Sequence, residues 1–278
     1  MAGYLPKPPF PTLNKGKYIS NGIVGSWPMY EGSGLVVNEA NEGESGAITG
    51  AVWSGSKYGQ GVDFSVTADD IQINSTPQIE NIFVGGGTIS AAIHPRSNGV
   101  GAGENNGRIA SKNDAAGWIF YVGDDQSEDS SLLFLHDFSG GVAYWAVNNV
   151  FTGYTETFTV SVTYDNSSTA NNPIFYIDGI AYNPTERIAP SGTAESDAGQ
   201  DLYLGNRAAG EKTFDGIITS VTLWDRILPP DEAALLHHDP FAMYRHSRNK
   251  PSEWAITSAA TGFGSLLGTQ RNKLVYGG

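Results

Sequence analysis

The chain has 278 residues, 40% hydrophobic and 11% aromatic, with 35 glycines. Many turns and many strand-favouring rings point to one large all-β domain with extensions, or to two small domains. A formal net charge of -13 repels phosphate backbones and disfavours nucleic acid as a partner. The absence of cysteine excludes disulfides and thiolate zinc sites, and no apolar run is long enough for a signal peptide or a membrane span.

Residues 1–21 read as an extended, proline-rich arm. Pro6, Pro8, Pro9 and Pro11 rule out a helix there, and Tyr4, Leu5 and Phe10 are spaced as anchors for a neighbouring surface. Folding is expected to begin at Gly22, with Trp27 and Tyr30 inward and Gly32 and Gly34 in a turn. Further strands are expected within 51–53, 57–64, 69–73, 88–95, 108–112, 117–122 and 132–135. The cleanest alternation sets Phe158, Val160, Val162 and Tyr164 against Thr157, Thr159, Ser161 and Thr163, the period of a half-buried antiparallel strand.

Asp178 and Gly179 mark a hairpin turn after 174–177, because glycine accepts positive φ. Strands at 202–207 and 214–224 follow. Residues 229–240 are the one sizeable helix expected. Proline opens it, Asp231 and Glu232 fill the first turn, His237 and His238 the last, and Pro240 stops it. From Phe241 the pattern breaks into a tail, 241–278. It carries the basic run Arg245, His246, Arg248 and Lys250 and isolated anchors such as Trp254, Phe263, Leu274 and Tyr276. The expected inward set is Trp27, Trp53, Phe64, Trp118, Phe158, Val160, Val162, Tyr176 and Trp224.

Taken together, these phrases resemble the laminin-G-like, concanavalin-A-like jelly rolls. The strand from Phe214 to Trp224, running on to Asp225, Arg226 and Pro229, looks like that family's closing phrase. The run from Gly22 to Gly34 is similar to its opening phrase. Lys57 to Phe64, Asp69 to Ile73, Ile174 to Gly179 and Leu202 to Arg207 match intermediate phrases. Thr88 to Pro95 matches another, with Ala92 where the family carries tryptophan, so packing there must differ. The resemblance implies an all-β, two-sheet antiparallel jelly-roll sandwich over 22–240, with the two terminal segments outside it.

Chemistry is sparse by comparison. Glucanases on this fold use carboxylates two residues apart on one strand. Glu195 and Asp197 are the nearest match, but they lack a third acid and sit in a small, polar run that reads as a loop. No nucleophile elbow, zinc-protease motif or phosphate-binding glycine loop occurs. His237 and His238, adjacent on a helix, point about 100° apart and read as a helix C-cap rather than a ligand pair. The family's habit makes calcium the candidate cofactor, with Asp124, Asp125 and Asp129 in the acidic run 124–129, a run that also reads as a solvated hairpin tip. Asp63, Asp69 and Asp70 are open to turn hydrogen bonding or to ligation. Tyr144 and Trp145 are the candidate glycan-contacting aromatics, with core or inter-subunit packing as the other reading.

The sequence leads to a non-catalytic protein of a tailed-phage virion, assembled in the host cytoplasm: a capsid decoration, head fibre or tail component. Residues 239–245 resemble the ends of such laminin-G-like phage proteins. The expected partners are other virion proteins, further copies of the chain through Tyr4, Leu5, Phe10, Arg245, Arg248, Trp254, Phe263, Leu274 and Tyr276, and host glycan. The alternative is a carbohydrate-binding lectin module or a glycosidase-associated domain.

Overall fold

A computed structural model of the chain describes residues 7–8, 11–41, 43–101, 106–113, 116–125 and 128–245, without the side chains of Asn113, Glu128 and Asp129. In chain order the strands are β1 (Ile23–Trp27), β2 (Val36–Val37), β3 (Gly46–Thr49), β4 (Val52–Ser56), β5 (Gly59–Phe64), β6 (Asp70–Ile73), β7 (Gly87–Pro95), β8 (Asn106–Asn113) and β9 (Gly117–Asp125). They continue as β10 (Glu128–Phe138), β11 (Gly141–Val147), β12 (Phe158–Tyr164), β13 (Ile174–Ile177), β14 (Ile180–Tyr182), β15 (Thr185–Ile188), β16 (Leu202–Leu204) and β17 (Gly216–Trp224), before helix α1 (Pro230–His238).

Two antiparallel sheets form a jelly-roll sandwich. The back sheet has eight strands in the order β14-β13-β12-β7-β17-β5-β4, with β1 also paired to β17. The front sheet has nine, in the order β15-β11-β10-β9-β8-β16-β6-β3-β2. The short or polar strands β2, β3 and β15 carry too little hydrophobic alternation to be read from sequence.

Between the sheets lies the main core. Trp27, Phe64, Trp118, Phe120, Phe134, Trp145, Val160 and Val162 are buried in it. Trp53 and Phe158 pack against it while partly exposed. Trp224 and Tyr176 are buried, but on the other side of the back sheet; their neighbours Leu223 and Phe175 take the inward positions. A one-residue step along a strand exchanges the faces, and β17 is bulged between Ile218 and Ser220.

A second apolar layer covers the back sheet's outer face. Leu13, Ile19, Ala92, Trp224, Leu236, Phe241, Met243 and Tyr244 cluster there. Ala92 leaves room for this layer where a ring is usual in the family. The Trp224 Nε1 donates to the Ile19 carbonyl at 2.9 Å. The Tyr244 hydroxyl meets Ser26 Oγ at 2.6 Å, and Ser26 Oγ meets Thr222 Oγ1 at 2.7 Å.

This layer corrects two expectations. The hydroxyl side of β12 is not solvated: Thr159, Ser161 and Thr163 are buried. The tail does not leave the body at Phe241, because the compact unit runs on to Arg245. Backbone bonds from Asn14 to the Met243 carbonyl (2.8 Å) and from Arg245 to the Thr12 carbonyl (2.8 Å) zip the two terminal segments together on the chain's own sandwich.

Candidate binding face

Alternation in β9, β10 and β11 decides which groups face outward from the front sheet. Trp118, Phe120, Leu132, Phe134, Ala143 and Trp145 point into the core, leaving Ile119, Tyr121, Leu133, Leu135, Tyr144 and Ala146 as a separate outer cluster. The glycan reading at Trp145 is therefore corrected. Its ring stacks on Phe134 with centroids 6.1 Å apart, and its Nε1 donates to Asn172 Oδ1 at 2.8 Å. Tyr144, one residue earlier, is half-buried on the outer face, where a ligand can reach it.

The calcium reading fails for the same geometric reason. The run 124–129 is not a free loop, since β9 extends through Asp125 and β10 begins at Glu128. Consecutive strand residues point to opposite faces, so Asp124 and Asp125 cannot converge on one ion. Asp124 turns to the Asn98 amide. Asp125 is fully buried and committed: Oδ2 takes the Arg187 guanidinium at 2.5 Å, and Oδ1 accepts from the Tyr144 hydroxyl at 3.0 Å. The side chain of Asp129 lies outside the described residues. Among the described residues no cluster of three or more acidic or histidine ligands forms. The donors present do not fit calcium.

The other acids are occupied as well. Asp69 Oδ2 accepts the Ser65 and Val66 amides in a turn, both at 2.9 Å. Asp63 is paired with Arg96 at 2.5 Å. His237 Nδ1 lies 3.3 Å from Asp178 Oδ1, tying α1 to the β13–β14 turn. Asp197 is 3% exposed. Its Oδ1 accepts from Lys112 Nζ (3.1 Å) and the Asn81 amide (2.7 Å), its Oδ2 from Trp118 Nε1 (2.9 Å). That carboxylate is a buried brace and cannot face a substrate beside Glu195, which is exposed.

Sequence reading missed the charged part of the front face. Arg108 and Tyr121 are cross-strand partners in β8 and β9, and the guanidinium lies 4.7 Å from the Tyr121 ring centroid. A bulge after Arg108 lets Ile109 and Ala110 both enter the core while Arg108 stays outside. The turn 206–212 comes alongside. The buried Asn206 Oδ1 accepts the Arg207 and Lys212 amides, each at 2.9 Å, and its Nδ2 donates to the Asp69 carbonyl at 3.0 Å. The Arg108 amide donates to the Lys212 carbonyl at 3.1 Å. Burial raises the pKa of Tyr121, and burial with the neighbouring Tyr121 and Asp125 raises that of Tyr144, so both phenols stay protonated donors. The face thus presents the half-buried Tyr144 ring, held by Asp125, beside a largely buried Tyr121–Arg108 pair.

A family model described as the concanavalin A-like lectin/glucanases superfamily matches residues 60–234, more than half of the chain. The chain belongs to this superfamily. The botulinum neurotoxin serotype D binding domain is a structural neighbour, with a TM-score of 0.58 at 11% identity over 80% of this chain and 52% of that one. The binding domain of Paraclostridial Mosquitocidal Protein 1 gives 0.56 at 13% identity, over 79% and 52%. The binding domain of botulinum neurotoxin DC, in complex with rat synaptotagmin II, gives 0.56 at 13% identity, over 78% and 52%. The chain spans about half the length of these structures, and at such identities the likeness is one of fold. No curated protein matches it by sequence.

Proposed function

We propose that this chain is a non-catalytic recognition module that reads glycan through the outer face of its front sheet. The carrying observation is the half-buried Tyr144, whose hydroxyl is fixed by the Asp125–Arg187 pair beside the Tyr121 ring. Sugars present apolar faces and hydroxyls, and a preorganised ring flanked by held donors and acceptors suits both. The committed state of Asp197 argues against the one carboxylate pair that resembled a glucanase site. The binding domains among the structural neighbours are consistent with this reading, as domains that bear binding activity on the same fold.

The test is binding of the full chain to an array of neutral and acidic glycans. Tyr144→Ala is expected to weaken the best ligand about 10-fold or more, with its thermal midpoint measured alongside to separate lost contact from lost fold. Reproducible turnover of a β-glucan or galactan, abolished by Glu195→Gln, would overturn the non-catalytic part.

A second reading places this module on a virion as a structural component, by way of its terminal segments. The resemblance of 239–245 to the ends of phage proteins supports it. Of those residues 241–244 seal the chain's own back sheet while Arg245 is exposed, so the assembly role falls to Arg245 and the rest of the two segments. Tyr4, Leu5, Phe10, Arg248, Trp254, Phe263, Leu274 and Tyr276 lie outside the described residues. Co-sedimentation of the full chain, but not of 1–245, with intact particles is the expected outcome. Equal incorporation of both would refute a role for 246–278.

A further inference from the structure

Arg108 is 7% exposed, and no carboxylate among the described residues pairs with its guanidinium. Its Nε is sealed from solvent with no hydrogen-bond partner. Arg207 Nε is sealed and unpartnered too, although that guanidinium also pairs with Glu211. Lys212 is the third cation; repulsion from Arg108 and Arg207 adds to desolvation in lowering its pKa, and Glu211 opposes the effect. Burial pulls the Arg108 pKa down to about 10, with Tyr121 opposing and Arg207 reinforcing the shift. Among the described residues three cations thus share one carboxylate, in a chain whose formal net charge is -13.

As packing alone this arrangement is costly. An unpaired buried charge destabilises a fold, and an apolar side chain of similar volume at Arg108 would serve the sheet better. A planar guanidinium whose face rests on a tyrosine and whose Nε is unmatched has, however, its two Nη groups left to offer a carboxylate as a fork. Tyr121, itself 6% exposed, links the cluster to the half-buried Tyr144, so a sugar ring seated on Tyr144 would carry a carboxylate towards the arginines.

We propose that Arg108, Arg207 and Lys212 form a subsite for the carboxylate of an acidic saccharide. The proposal rests on the glycan reading of the front face and specifies its ligand class.

The experiment titrates the full chain with a uronic-acid oligosaccharide, its carboxyl-reduced neutral counterpart, and inorganic phosphate and sulfate, all at matched ionic strength. The acidic oligosaccharide is expected to bind at least about 10-fold more tightly than the reduced one, as fits a charge-assisted hydrogen bond. Arg108→Met and Arg207→Gln are each expected to abolish that preference. Arg108→Met is also expected to leave the urea midpoint equal or higher, the reverse of a purely structural role. Equal binding of acidic and reduced oligosaccharides, or a preference that survives Arg108→Met, overturns the acidic subsite while leaving the glycan reading intact. Phosphate and sulfate competing as well as the oligosaccharide would mean a simple anion site and overturns the saccharide claim. Binding of neither oligosaccharide would refute the glycan reading itself.

Discussion

Ending the chain at Pro240 instead of Arg245 is expected to bring the fold close to its stability limit. The deletion removes Phe241, Met243 and Tyr244, which are between 0% and 1% exposed. Each such side chain contributes about 1.5–3 kcal/mol by burial, so the loss is about 5–9 kcal/mol, an upper value because the unfolded chain already hides some of this surface. A domain's whole stability is only about 5–15 kcal/mol. The deletion also takes the Tyr244 hydroxyl from Ser26 and the Ala242 and Met243 carbonyls from Lys17 and Asn14, so residues 12–17 lose their seat. Urea unfolding of 1–245 and 1–240, followed by tryptophan fluorescence, measures the difference, with the buried Trp224 of that layer as a local reporter. Equal midpoints would refute the claim that 241–245 belong to the core. By the same reasoning 22–240, the span the resemblance gives to the sandwich, is not expected to fold unaided.

Three further outcomes follow from single side chains. Gly205→Ala should destabilise by about 3 kcal/mol, adding left-handed strain to overpacking: its φ is +77° and an added Cβ would lie 2.1 Å from the Phe64 ring. Thermal denaturation checks it. Lys112→Met should cost about 3–5 kcal/mol by stranding the buried Asp197 charge, and replacing both partners with apolar residues should recover much of that in urea titrations. Burial, with Asp69 adding repulsion and a Thr49 hydrogen bond opposing, raises the Asp70 pKa to about 6. Because the folded state then holds its proton more tightly than the unfolded state, Asp70 makes the domain less stable as pH rises from about 4 to about 6. Asp70→Asn should remove that part of the pH dependence and raise stability at pH 7; a variant with an unchanged stability–pH profile would contradict it.

How far the sequence reaches depends on which physical signal a residue carries. Alternation in β12, the Asp178-Gly179 turn and the charged ends of α1 are local signals; the turn and the helix ends form as read, while β12 forms as a strand buried on both faces. The sandwich follows because such signals recur along the chain. Faces are harder. Whether Trp145 or Tyr144 looks outward depends on the inward turn of Ala143 and Val147, which only the β10–β11 register fixes. The seal at 241–245 is harder still: Phe241, Met243 and Tyr244 have no period of their own, and their value lies in the bare patch left by Ala92 and Trp224, far away in sequence. Arg108 was invisible for a related reason. Its neighbours along the chain are unremarkable, and its meaning comes from what does not meet it. A lone arginine in a strand reads as a surface charge until the fold places Tyr121 beneath it and Arg207 and Lys212 beside it, with no acid paired to it among the described residues. Core residues are specified by attractions that leave periodic traces in the sequence. A buried charge kept in spite of an unfavourable free energy leaves no such trace, and it emerges only when the buried polar groups are counted and one is found without a partner.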